Sequence, residues 1–145
     1  MQYKLWWLLP IATMALIVSY QDIRYRKIPN GVVFIVALLG VFFVLDTGRL
    51  EQLTLPVVVL ALGAVLFQFN ILAAGDSKLF AAFSLMVSPE MMLLVVNVII
   101  FAGGLLAIAQ CVLSRMTNNL EWTNRGVPYG VPICLGSLLG IAASL

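Results

Sequence analysis

The sequence predicts an all-α integral membrane protein of about six transmembrane helices with a short fourth span. Three observations carry that prediction. Hydrophobic residues make up 63% of the 145-residue chain and charged residues only 10%, against roughly 25% charged in soluble domains. A soluble chain of this size lacks the polar surface to cover so much apolar side chain, so lipid must act as the solvent. The charges also fall between apolar stretches, at 5–21, 28–45, 53–74, 79–89, 91–114 and 126–145. The length suggests one domain over 1–145.

The first stretch follows Lys4 and has the look of a signal peptide. It lacks a small-x-small cleavage site before its charged turn, and further spans follow, so it reads as a retained first helix. Tyr3, Trp6 and Trp7 read as an outer interfacial belt. The second and third stretches are long enough to cross. The fourth is not: residues 79–89 give about 16 Å of helix, roughly half of a ~30 Å bilayer core. It crosses only if its helix begins near Gly75 and Asp76, which places Asp76 in the first turn at the membrane edge. The fifth stretch is long, and the sixth contains Gly136-x-x-x-Gly140, a small-residue helix-contact pattern. Gln68, Asn70, Asn97 and Gln110 read as polar contacts between helices, and Pro10, Pro56 and Pro132 as helix starts or kinks. No internal repeat is evident.

Charge distribution supports six crossings. They put Arg24, Arg26, Lys27, Lys78, Arg115 and Arg125 on one side and leave Lys4 and Arg49 opposite. Without the fourth crossing the split would be even, and the positive-inside rule favours the uneven one. The 22–30 loop, Asp76 and the 115–125 loop are then cytoplasmic, and both termini face away. The expected location is the cytoplasmic (inner) membrane, with multiple passes.

Composition removes several function classes. The chain has no histidine, which excludes a Ser-His-Asp triad, a Cys-His pair and a HExxH zinc site. A net charge of +2, with no basic stretch interleaved with aromatics, gives no case for a nucleic-acid partner. Cys111 and Cys134 lie in separate apolar stretches, form no zinc motif and read as small packing residues. No cofactor and no metal are expected. Any catalysis runs on carboxylates, or on serine, lysine or tyrosine without histidine.

Of the six carboxylates, the six-span arrangement puts Asp46, Glu51 and Glu90 on the outer side and Glu121 in mid-loop. Asp22 and Asp76 alone adjoin spans on the cytoplasmic side, each after a long uncharged run. Spacing leaves two readings open: they mark helix boundaries, with Arg24 or Lys78 as a partner, or they converge. Two carboxylates held close cannot both ionise easily, so one keeps a proton while the other activates water, and amide hydrolysis needs neither histidine nor metal. Helix ends suggest roles: Asp22 near a C-terminus is the protonated acid, and Asp76 near an N-terminus is the ionised base. A proton-coupled transporter would use the same pair as proton carriers. Small residues from Ala73 to Gly75 would let a substrate strand approach. Lys78 would polarise the pair or anchor its helix, and Pro128 and Tyr129 are candidates for the site's mouth.

Three segments carry a resemblance. Asp22-Ile-Arg-Tyr-Arg-Lys-Ile-Pro-Asn30 resembles the first-aspartate loop of the type IV prepilin peptidases, which ends in Ile-Pro-Asn. Ala73-Ala-Gly-Asp-Ser-Lys-Leu79 is similar to their GxGD block, and Val127-Pro-Tyr-Gly-Val-Pro-Ile133 to the Pro-Tyr-Gly segment opening their last helix. The order matches the family's, and the resemblance covers nearly the whole chain. It implies Asp22 and Asp76 as a catalytic pair that removes the short basic leader of a pilin precursor. Ala73 departs from the pattern, standing where the family usually has the first glycine. The chain lacks the cysteine-rich insert of the longer, methylating peptidases, so it looks like the short form of Flp, or tight-adherence, pilus systems, without methyltransferase activity. The implied partners are a prepilin or pseudopilin precursor and lipid, with the oligomeric state open. The basic leaders would be repelled by Arg24, Arg26 and Lys27, which read instead as contacts to anionic lipid. A catalytically silent assembly scaffold would keep the same helices.

Overall fold

The computed structural model describes residues 2–117 and 126–145, with side chains from Leu5 onward. Glu121 and Arg125, and the side chains of Tyr3 and Lys4, lie outside the described residues. After a 3-10 turn at Gln2–Trp7 come α1 (Leu8–Tyr25), α2 (Asn30–Thr47), α3 (Leu55–Gln68), α4 (Ala74–Ser84), α5 (Met92–Thr117) and α6 (Gly130–Ser144). Further 3-10 turns at Leu50–Thr54 and Pro89–Met91 lead into α3 and α5. There is no strand among the described residues.

Three helical stretches are long and apolar enough to cross a membrane: Asn30–Thr47, Leu50–Gln68 and Pro89–Thr117; Gly130–Ser144 is apolar but shorter. α1 ends in Gln21, Asp22 and Arg24, which cut its apolar length, and α4 has only 11 residues. Pro10, Pro56 and Pro132 all fall in the first turn of their helices. They begin helices and kink none, because proline's missing N–H has no intrahelical partner there.

The short α4 is the centre of the bundle. It packs against α3, α2 and α6, and Leu79, Phe83, Met86 and Val87 on and just beyond it are fully buried. Its neighbours shield it from lipid, so it need not match the bilayer thickness. Small residues allow the approach. A Cβ on Gly40 would stand 2.8 Å from Leu85 Cβ, and one on Gly63 would stand 2.6 Å from Ser77 Oγ. The Gly136-x-x-x-Gly140 pattern serves the α5–α6 contact, with Gly136 against Ile99 and Gly140 against Val95. Large apolar side chains such as Leu9, Phe34, Phe101 and Met116 point outward, as lipid-facing helices require.

Several expectations change. Trp7 is buried, donates to Asp46 Oδ2 at 2.9 Å and meets Phe43 edge-on, so only Trp6 of this pair faces outward. Asn70 follows α3 in a left-handed turn (φ 56°), and Gln68 is exposed at the helix end. Asn97 is exposed and donates to Leu93 O of its own helix. These three join no helices; only Gln110 reaches another segment, donating to Gly126 O at 3.0 Å. Cys134 is buried beside Ser19, but Cys111 is exposed and packs against no core.

Candidate active site

Asp22 sits in the last turns of α1 and Asp76 in the first turn of α4, beyond the apolar stretches 5–21 and 79–89 that adjoin them. Both are buried, at 6% and 8% exposure. They line one cavity of about 490 Å³, together with Arg26, Lys27, Ile28, Ala73, Gly75, Gly126 and Val127. Sequences fifty residues apart meet because α1 and α4 both pack on α6.

Each carboxylate has its own backbone support. Gly130 opens α6, and its N–H donates to Asp22 Oδ2 at 2.7 Å. A Cβ at this position would stand 2.6 Å from that oxygen, so only glycine lets the helix end come so near. Asp76 is the third residue of α4 after the N-cap Ala73, and it takes a backbone hydrogen bond at Ala73, the reach-back of a capping box. Ala73 has φ −75° and ψ 150°, an extended backbone open to any L-residue. The alanine in place of the family's glycine therefore carries no backbone strain. Gly75 leaves its space to the cavity, with only Ile28 Cβ within 4 Å (at 3.8 Å) of where a Cβ would stand.

Burial raises the Asp22 carboxyl above the ordinary carboxylate value, opposed by the Gly130 hydrogen bond and the Arg26 charge. Burial pushes Asp76 up to about 6; the Asp22 charge adds to the rise, and the bond at Ala73 offsets part of it. Both carboxyls are thus raised, and the Gly130 N–H and the Arg26 charge both favour the ionised form of Asp22. The helix-end argument from the sequence gave Asp22 the proton, and a second helix end bears on it here. Asp22 does lie at the C-terminus of its own helix, but the N-terminus of α6 is aimed at its carboxylate, and no linear reading places that second helix there.

The remaining expected lining residues divide. Ala73 and Gly75 face the cavity. Lys78 instead borders an apolar groove of about 420 Å³ between α2, α3 and α4, with Asn30, Phe34 and Leu60. Pro128 is buried outside the cavity wall, and the Tyr129 ring lies against Gly103 of α5, where a Cβ would stand 2.8 Å from Cε1. Arg26, Lys27, Ile28 and Val127 belong to the wall but were not singled out for it from the sequence, although the first three lie within the first-aspartate segment. Among the described residues no three His, Cys, Asp or Glu gather as metal ligands. The arrangement is a pair of buried carboxylates lining one cavity, of the kind able to activate water at a carbonyl when one is ionised and the other holds a proton.

A family model described as the type IV leader peptidase family matches residues 9–108. The match includes both aspartates and ends before α6. No curated protein and no solved structure matches the chain.

Proposed function

Because the chain belongs to the type IV leader peptidase family, we propose that it is a membrane aspartyl endopeptidase that removes the short basic leader of Flp-type pilin precursors at the cytoplasmic face. Its apolar helices and its family make it a multi-pass membrane protein. The observation that carries the reading is the pair of buried carboxylates across one cavity in a chain without histidine. Ionised Asp22 takes a proton from water as its oxygen adds to the scissile carbonyl, and Asp76 gives its proton to the carbonyl oxygen. Collapse of the gem-diol intermediate breaks the C–N bond: one hydroxyl returns its proton to Asp76 as the carbonyl re-forms, and the departing amine takes the proton from Asp22. What supports the cytoplasmic face is charge: an arrangement of six crossings, with α4 as the fourth, would group Asp22 and Asp76 with the excess of Arg and Lys, the side the positive-inside rule assigns to the cytoplasm.

The test is co-expression with a Flp-type pilin precursor, its size followed by gel and mass spectrometry at matched membrane levels. Asp22→Asn and Asp76→Asn should each slow cleavage by about 10²-fold or more, while Asp46→Asn and Glu51→Gln/Glu90→Gln cleave as wild type does. Cleavage that survives loss of either Asp22 or Asp76 would end the dyad reading. A wild type that leaves the precursor intact would turn the reading towards a silent scaffold.

A further inference from the structure

Arg26 joins the end of α1 to the segment that leads into α6, on the wall of the cavity. It is the residue after α1, and it adopts a left-handed backbone (φ 54°) while its N–H donates to Asp22 O at 3.0 Å. That conformation is unfavourable for an arginine and favourable for glycine, the residue that usually ends a helix this way. As a plain helix cap, then, arginine is a poor choice. What the turn achieves is the direction of the side chain: Nη1 donates to Gly126 O at 2.6 Å, across 100 positions of sequence. Gly126 itself has φ 75°, and its carbonyl also accepts from Gln110 of α5. Four residues later Gly130 delivers its N–H to Asp22.

We propose that Arg26 is a positioning residue for the dyad, a clamp that holds the segment 126–130 over the cavity so that the α6 N-terminus meets Asp22. The inference rests on the peptidase reading. The same guanidinium places a positive charge beside Asp22, so it acts on both the geometry and the ionisation of the pair. The other ionisable groups around Asp22 are Asp76 from α4, Lys27 beside Arg26 and the Cys134 thiol of α6; among the described residues α5 and α2 add no charged group to the cavity wall.

The variants that separate a clamp from a cap are Arg26→Gly and Arg26→Lys, measured on purified protein with a Flp-type pilin precursor in detergent micelles. Glycine fits the left-handed turn better than arginine, so Arg26→Gly should keep or raise thermal stability and yet lose roughly tenfold or more in kcat, the size expected when a charge-assisted hydrogen bond is removed. Its acidic limb of kcat/KM against pH should move to higher pH, because Asp22 then ionises less readily. Arg26→Lys should bring the limb back towards wild type while recovering only part of the rate. A glycine variant with wild-type rate and an unmoved limb would overturn the clamp, as would a lysine variant whose limb moves as far as glycine's. Asp22→Asn and wild type run alongside: a wild type that leaves the precursor intact ends the peptidase reading and an Asp22→Asn that cleaves ends the dyad reading, whereas a dead Asp22→Asn beside an unaffected Arg26→Gly removes the clamp alone.

Discussion

At the Asp22 end of the bundle a cavity of about 490 Å³ is walled by two buried carboxylates, Arg26 and Lys27. At the other end a cavity of about 540 Å³ is walled by Arg49, Glu51, Ser88, Glu90 and Ser144. Size and charge hardly separate them. Burial and partnership do. Glu51 and Glu90 are exposed, Arg49 donates to Ser144 O at 2.8 Å, and the Ser144 hydroxyl links to Ser88. Trp7 donates to Asp46 nearby on that side. Those polar groups close the ends of helices and leave little chemistry to spend. At the first end, two carboxylates are largely buried in one cavity wall, and the charge of Asp22 raises the carboxyl of Asp76. The lesson is that a reactive site is marked by ionisable groups the fold makes uncomfortable.

The largest test of that contrast is Gly130→Ala. The added methyl must displace Asp22 or tilt α6, since it would stand 2.6 Å from Asp22 Oδ2. Cleavage should fall about 10²-fold, the scale of losing a bond to a charged group and misplacing a catalytic one. Full activity in this variant would mean that the Gly130 N–H is dispensable.

A smaller effect follows from discomfort at Asp76. Its carboxyl is raised to about 6 in the folded protein from 3.8, so between those values the folded state holds more proton than the unfolded one. Asp76 is therefore best tolerated at low pH, and the wild type loses stability as pH rises to about 6. Asp76→Asn, neutral throughout, should be inactive but more stable at pH 7.5 by on the order of 1–2 kcal/mol, with the advantage shrinking towards pH 4. Thermal melts in detergent at the two pH values measure it; an advantage independent of pH would contradict a desolvated Asp76.

The smallest effect belongs to the opposite end. Gln52 is fully buried in the 3-10 turn before α3, and neither atom of its amide has a partner. Gln52→Leu should raise stability by about 1 kcal/mol, because an unsatisfied buried amide is replaced by an apolar group of like size. Cleavage should stay at the wild-type rate. A fall in both would show that this end, too, supports the chemistry.

Much of this was legible in one dimension. Hydropathy marked the long helices because lipid imposes the same apolar requirement on every residue that faces it. The missing histidine removed the imidazole-dependent chemistries, and three motifs singled out two aspartates at the edges of apolar runs. Gly136 and Gly140 announced a close helix pair before their partner was known. Other residues were misread for a common reason. Trp7 has the composition of an interfacial belt, and only its place beside Phe43 and Asp46 makes it core. Arg26 and Lys27 stand in a basic run, which alone does not reveal that the turn after α1 also brings them to the cavity wall.

By itself, then, the sequence determined the solvent and the all-helical class and singled out two carboxylates, because hydrophobicity and residue type are properties of single positions. The tertiary structure decided why α4 can be short, that the two carboxylates line one cavity and which donor supports Asp22. Those depend on which helix end faces which side chain. The N-terminus of α6 lies more than a hundred positions from Asp22 along the chain and 2.7 Å from it in space.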